Sequence, residues 1–530
     1  MTDRIEDKAQ LVGNLLFPSS FNHEVERIEL VETHISWIVL TGIYAYKIKK
    51  PVNLGFLDFS TLEKRQYYCT EELRLNRRTA REIYLDVVPI KGSIQSPVVD
   101  GTGQTLEWAL KMLQFDNKYQ LDILLEQDSI TAQQLDLLSD AITSFHERAG
   151  RLDLAENFGS AEQVYGPVMD NYNHLRKTAP DGISREAINR IKQWHEDEFG
   201  RLSTEFEQRR LAGFVRECHG DLHARNITFF HERPVLFDCI EFDPALRWID
   251  TINDLAFLVM DCWERGHEEA AFHILNRYLE NNGDYRSIMS LPFYLVYRAM
   301  VRAKVASIAH DQAVSAGDME HVRRLSREML RYIRFSTQLT DPATTPKLII
   351  THGLSGSGKT VITRELIARL PALRIRSDVE RKRKFGNRRN HDEAQNIDQG
   401  LYSPSISTAT YEYLASMAGI ILTAGFNVVI DAAFLQRKQR DMFKDVAARH
   451  SAEFVILSFH APLSLLEQWI TKRQAEKRDA SDAGLAVLHH QIESREPLDK
   501  NEAAMTCFVD TSQAVDIAGL VSELETLPAR

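Results

Sequence analysis

No CxxC pair occurs in the 530 residues, and the five cysteines (Cys69, Cys218, Cys239, Cys262 and Cys507) are odd in number and far apart. That spacing excludes a disulfide-stapled scaffold and reads as free thiols in a reducing compartment. No apolar run approaches the ~20 residues of a membrane-spanning helix, so no membrane partner is expected. The opening MTDRIEDKAQ alternates charge with no apolar stretch behind it, so a secretory leader is not expected and a cytoplasmic location is. Basic residues are in the minority: 64 Lys and Arg face 75 Asp and Glu, a formal net charge of −11 that argues against broad nucleic-acid binding. Internal repeats and low-complexity tracts are also missing. What remains is a chain with 44% hydrophobic residues, enough for two or three packed domains.

The texture changes once along the chain. Short β-like runs, clearest in RIELVETHISWIVLTGIYAYKIKK, precede a charged helical stretch, STLEKRQYYCTEELRLNRRTAREIY. From about Gln133 to Leu330 the pattern is mostly helical. STQLTDPATTPK, Ser336 to Lys347, reads as a linker. After it, the runs KLIITHG, LRIRSD, NVVIDAAF and EFVILSFHA alternate with helical segments, which predicts a parallel sheet covered on both faces. The expectation is a two-lobed α+β domain over 1–335, its small lobe ending near 113, a linker over 336–346, and an α/β domain over 347–530.

Within that second domain, Gly353, Leu354, Ser355, Gly356, Ser357, Gly358, Lys359 and Thr360 spell the phosphate-loop spacing G-x-x-x-x-G-K-[ST] after an apolar strand. Glycines let backbone N–H groups wrap phosphates, and the following helix presents its positive end. Lys359 is expected to reach the β- and γ-phosphates of ATP, and the Thr360 hydroxyl to hold Mg²⁺. Asp378, in IRSDVERKR, ends the expected second strand and is placed to take an acceptor hydroxyl's proton. Asp431, in NVVIDAAF, ends the third, where a carboxylate would organise Mg²⁺. Arg473 and Arg478 lie in a polar segment able to close over phosphates as a lid.

The first domain holds a different motif. HGDLHARN places Asp221 five residues before Asn226, in the order of the protein-kinase catalytic loop H-R-D-x-x-x-x-N with Gly220 in the arginine's place. In that loop the Asp orients the acceptor hydroxyl and the Asn binds Mg²⁺. Asp238, in VLFDCIEF, stands where a second metal-binding carboxylate belongs.

On these residues the first domain resembles the aminoglycoside-phosphotransferase and choline-kinase-like family, whose loop reads HGD. The resemblance implies that Asp254, in DTINDLAF, braces the loop, and that a lysine in YAYKIKKPV grips the α- and β-phosphates. That lysine is Lys47 or Lys49, and its carboxylate partner Glu72 or Glu71. It also implies an adenine-contacting hinge at LEWALKM, Leu106 to Met112. No G-x-G-x-x-G loop precedes Lys47, and the insert PVNLGFLDFSTLEKR departs from the drug-modifying members. The second domain resembles the polynucleotide-kinase-like and zeta-toxin-like P-loop kinases through its phosphate loop, RSDVERK, VVIDAAFLQRKQR and RDASDA. In that family the early Asp is the general base, the role that falls to Asp378. Together the resemblances imply a tandem ATP- and Mg²⁺-dependent kinase acting on hydroxyls of small molecules or nucleic-acid ends. The alternative is a P-loop domain that regulates the upstream kinase or acts as a toxin-like module.

Overall fold

The computed structural model describes residues 5–55, 57–180, 182–341, 345–386, 403–476 and 484–526. The chain divides into two compact units, Met1–Pro167 with Ser203–Leu258, and Val168–Leu202 with Val259–Arg530.

In the first unit, alternating apolar residues build a six-stranded antiparallel sheet. Its order is Glu29–Glu32, Ser36–Leu40, Tyr44–Lys49, Thr105–Leu113, Tyr84–Ser93, Ser96–Val99. Tyr46 and Ile48 enter a core with Leu11, Leu15, Trp37 and Ala109, so the two-residue period turns Lys47 and Lys49 to the opposite face. Helix Leu62–Asn76 packs on that face. The Thr61 hydroxyl caps it by accepting from Lys64 N, and buried Arg65, Cys69, Glu72 and Asn76 form one stripe at helical spacing. The helix stops at Asn76, short of the expected stretch, and Tyr84 opens a strand.

Leu106–Met112, expected as a hinge, lies instead inside the nine-residue strand Thr105–Leu113, of which Ala109–Met112 is paired on both sides. Its apolar character is that of a sheet interior. The chain leaves the sheet after Leu113, where Gln114 Oε1 accepts from Gly42 N at 2.9 Å. Downstream, the strand pair Val215–Glu217 and Trp248–Asp250 and the hairpin Ile227–Phe230 with Arg233–Leu236 frame the HGD segment.

The second unit contains a five-stranded parallel sheet, in order Ala372–Arg376, Asn427–Asp431, Lys347–His352, Glu453–His460, Thr506–Asp510. Its strands are near-continuously buried, as a sheet covered on both faces requires. The first strand lies centrally, between the third and fourth, so the loop leaving it opens at a topological switch point. The fifth strand, Thr506–Asp510, was not among the expected runs; only Cys507 and Val509 of it are buried.

The expected linker is not where the contacts divide. Helix Met319–Thr340 runs through its first residues, and 342–344 lie outside the described residues. Upstream of it, helix Glu268–Asn282 docks on the open edge of the parallel sheet: Asn276 Oδ1 accepts from Arg374 N at 2.7 Å and its Nδ2 donates to Ala372 O at 2.9 Å. One carboxamide thus stands in for a neighbouring strand, satisfying edge groups that would otherwise be buried unpaired. No helix among the described residues is long and apolar enough to cross a membrane.

Candidate active sites

The first site is built on the HGD segment. Gly220 has φ +87°, and a Cβ there would lie 2.8 Å from Leu246 O, so an arginine cannot occupy this backbone. Asp254 accepts from His219 N at 3.0 Å and Gly220 N at 2.8 Å, and His146 Nε2 lies 3.1 Å from it. Burial opposes its charge, but His146 and the loop amides outweigh it and hold the carboxyl at about 2. Cys218 also lies near this pair, yet its thiol faces Ile249 O at 3.4 Å and the Asp254 oxygens are occupied by the loop, so the trio is a brace rather than a metal centre.

The braced loop presents Asp221, with a side chain one-third exposed and Oδ2 accepting from Asn226 Nδ2 at 3.0 Å. Asp238 takes a left-handed backbone at φ +63°, with its N–H donating to Tyr84 Oη at 3.1 Å. Its Oδ1 meets Lys47 Nζ at 2.5 Å, and Lys47 also donates to Glu72 Oε1 at 2.7 Å. Lys49 donates to the other oxygen of Glu72, Oε2, at 2.6 Å and to Glu241. Burial opposes charge on Lys47, but Asp238 and then Glu72 outweigh it and raise its pKa. For Glu72, burial is likewise overcome by Lys47 and Lys49, which lower its pKa. For Glu241, burial prevails and pushes the carboxyl up. Glu71 points elsewhere, to Arg74 and Arg247. Sequence reasoning missed Glu241, whose one local signal is its place three residues after Asp238.

The second site sits at the switch point. Gly358, at φ +80°, turns the chain into helix Lys359–Arg369, and Lys359 Nζ folds back to Gly353 O at 2.9 Å and Leu354 O at 2.7 Å. Thr351 Oγ1 donates to Ala432 O at 2.6 Å, and Gly353 N donates to Ala433 O at 3.1 Å, so the residues after Asp431 are zipped to the start of the loop. Asp431 is buried, and its Oδ2 has no hydrogen-bond partner among the described residues; Arg376 Nε stands 3.9 Å away. An orphaned, buried carboxylate oxygen beside a phosphate loop fits a divalent cation. Asp378 lies in the first turn of helix Ser377–Phe385, not at the strand end, and accepts from Arg381 Nη1 at 2.9 Å.

Lys359, Thr360, Asp431 and Asp378 face one cavity of about 1010 Å³. Gly358, Arg381, and Thr511 and Val515 after the last strand also line it. Arg478 lies outside the described residues, as does the side chain of Arg473.

Residues 348–498 match the family model described as "AAA domain". An uncharacterized protein of Mycobacterium tuberculosis is 28% identical over 492 residues, covering 93% of each chain. Among solved structures, a choline/ethanolamine kinase family protein from Mesorhizobium loti matches with TM-score 0.35 and 11% identity over 63% of this chain and 100% of that one. A gluconokinase from Sinorhizobium meliloti matches with TM-score 0.23 and 20% identity over 34% of this chain and 89% of that one. By its strand order and its two loops, the chain joins an α+β unit that carries the HGD loop to a parallel-sheet unit whose phosphate loop lies within the stretch matched by the AAA domain model.

Proposed function

We propose that the protein is a tandem ATP-dependent phosphotransferase with one active site in each of its two units. Each site moves the γ-phosphate to a hydroxyl of a small molecule or a nucleic-acid end. The observation that carries this is the shared cavity of the second site. Phosphate-binding Lys359, the cation-fitting Asp431 and the carboxylate of Asp378 face one space, which suits a donor and an acceptor bound together.

In the second site Lys359 would exchange its loop carbonyls for phosphate oxygens, and Thr360 and Asp431 would hold Mg²⁺. Bound there, Mg²⁺ neutralises charge on the transferring phosphoryl group. Asp378 accepts the acceptor's hydroxyl proton as the new O–P bond forms. The bond from the β,γ-bridging oxygen to the γ-phosphorus breaks, and ADP leaves. In the first site Lys47, steadied by Glu72, would bind the α- and β-phosphates, Asn226 and Asp238 the cation, and Asp221 the acceptor proton. Arg473 and Arg478 are proposed to close over the second site's phosphates. Five free cysteines, all buried, are in keeping with a cytoplasmic protein.

The test is transfer of label from γ-labelled ATP by the full-length protein to sugars, aminoglycosides, nucleosides and 5′-hydroxyl oligonucleotides. Transfer to an acceptor that is lost in Asp221→Asn, and to another lost in Asp378→Asn, is the expected result. Label released only to water, in every variant, would overturn the reading.

A further inference from the structure

The edge strand of the parallel sheet leads from the phosphate loop to a carboxylate that no phosphate-loop motif contains. Glu280, on helix Glu268–Asn282, divides its oxygens: Oε1 accepts from Arg376 Nη1 at 3.0 Å and Oε2 from Arg374 Nη2 at 3.3 Å. Arg374 is buried, and its Nη1 donates onward to the carbonyl of Thr360 at 3.1 Å and to Thr363 Oγ1 at 3.3 Å. Arg376 is in register with Asp431 across the parallel pair, its Nε 3.9 Å from the buried Asp431 Oδ2. One carboxylate therefore reaches, through two guanidinium groups, both residues assigned to the cation. Its own position is set one helical turn earlier, where Asn276 is clamped to the backbone of Ala372 and Arg374.

We propose that Glu280 is a positioning residue for the divalent-cation corner of the P-loop site. It holds Arg376 off Asp431 and Arg374 on Thr360. Two guanidinium charges close to a cation site repel the incoming ion, and in buried surroundings such repulsion is several times stronger than in water. With Glu280 neutral, Arg376 closes on Asp431 as its ion-pair partner and competes for the oxygen the cation needs. Glu280 precedes the phosphate loop by many residues and lies in the stretch expected for the first domain. The P-loop site is thus completed by chain outside its own family match, 348–498.

The inference rests on the P-loop reading, and its test separates the two. The probe is Mn²⁺, with free ion counted by electron paramagnetic resonance, on full-length protein carrying Lys47→Ala to silence the first site, with saturating ADP; nucleotide binding is measured separately in EDTA. Glu280→Gln is expected to weaken Mn²⁺ binding about tenfold, the scale of outer-sphere partners of metal ligands, while nucleotide binding in EDTA stays within about twofold. Adding Arg376→Gln to it should recover most of the loss. Unchanged Mn²⁺ affinity in folded Glu280→Gln overturns the proposal, as does a double variant no better than the single. Should Glu280→Gln not fold, Arg376→Gln alone decides, since tighter Mn²⁺ binding is expected and weaker binding refutes it. A Lys47→Ala parent that binds no nucleotide refutes the P-loop reading instead.

Discussion

Glu72 Oε1 accepts a hydrogen bond from Lys47 Nζ at 2.7 Å, on the sheet face that also carries Lys49. The two lysines share this carboxylate yet differ in what else they touch. Lys47 reaches Asp238, whose side chain is 43% exposed, whereas Lys49 is 1% exposed and closed in by Glu241. Lys47→Ala is therefore expected to abolish transfer at the first site while leaving a folded protein. Lys49→Met leaves Glu241 without its lysine and Glu72 with Lys47 alone, and loss of one partner of a buried pair costs about 3–5 kcal/mol. Denaturant titration and label transfer on both variants check this; a stable, inactive Lys49→Met with an active Lys47→Ala would reverse the assignment.

Lys359→Ala should remove nucleotide binding from the P-loop cavity and leave the first site working. Charge-assisted contacts of this kind contribute ~1.5–3 kcal/mol even in ground-state binding. Binding of a fluorescent nucleotide to full-length Lys47→Ala, with and without Lys359→Ala, isolates the second site. Equal binding in the two would rule out the phosphate-loop role.

Asp221→Asn and Asp378→Asn should each spare ATP binding and cut one transfer by roughly 10²–10⁴-fold, the usual loss with a general base. Among the described residues Asp221 accepts from Asn226 and Asp378 from Arg381, so the double variant should lose both activities without further penalty. Steady-state label transfer against each acceptor measures this. A single substitution that silences both transfers would favour a regulatory P-loop domain.

Acid should weaken the second unit through His195. Its Nδ1 accepts from Tyr172 Oη and its Nε2 donates to Phe293 O at 3.0 Å, a neutral tautomer fixed by two partners. Burial lowers its pKa from 6.5 to about 4, outweighing the Phe293 carbonyl, which favours the charged ring. Between those pH values the unfolded chain binds a proton the folded chain excludes. The stabilisation is whole above pH 6.5 and falls as pH drops toward 4, by about 3 kcal/mol in all. Thermal melts across that window should show the slope in wild type and a shallower one in His195→Gln; parallel slopes would refute it.

A protease site placed at 342–344 tests what the edge strand needs. Asn276 caps Ala372 and Arg374 from upstream of the cut, so both pieces should remain one species on gel filtration. A separately expressed 345–530 fragment should lack a cooperative transition, because its edge strand loses that cap. Two separable pieces, each unfolding cooperatively, would contradict this.

Sequence alone determined what depends on a few adjacent residues. The G-x-x-x-x-G-K-T loop, the HGD segment with its Asp221–Asn226 spacing, and the strand–helix alternation after Lys347 are local, because backbone conformation and side-chain period act over one or two turns. Even the choice of Glu72 over Glu71 for the lysines was latent in the stripe Arg65, Cys69, Glu72, Asn76. Tertiary structure alone decided the rest. Lys47 meets Asp238 across 191 residues, Lys49 meets Glu241 across 192, and Arg374 takes its backbone partner from Asn276 across 98. Such pairings follow from which buried charges and open strand edges find partners on collapse, and no spacing in the chain encodes them. For the same reason Leu106–Met112 passed for a hinge: an apolar run reads alike whether it ends a sheet or lies paired within one, and the strands it pairs with come from elsewhere in the chain.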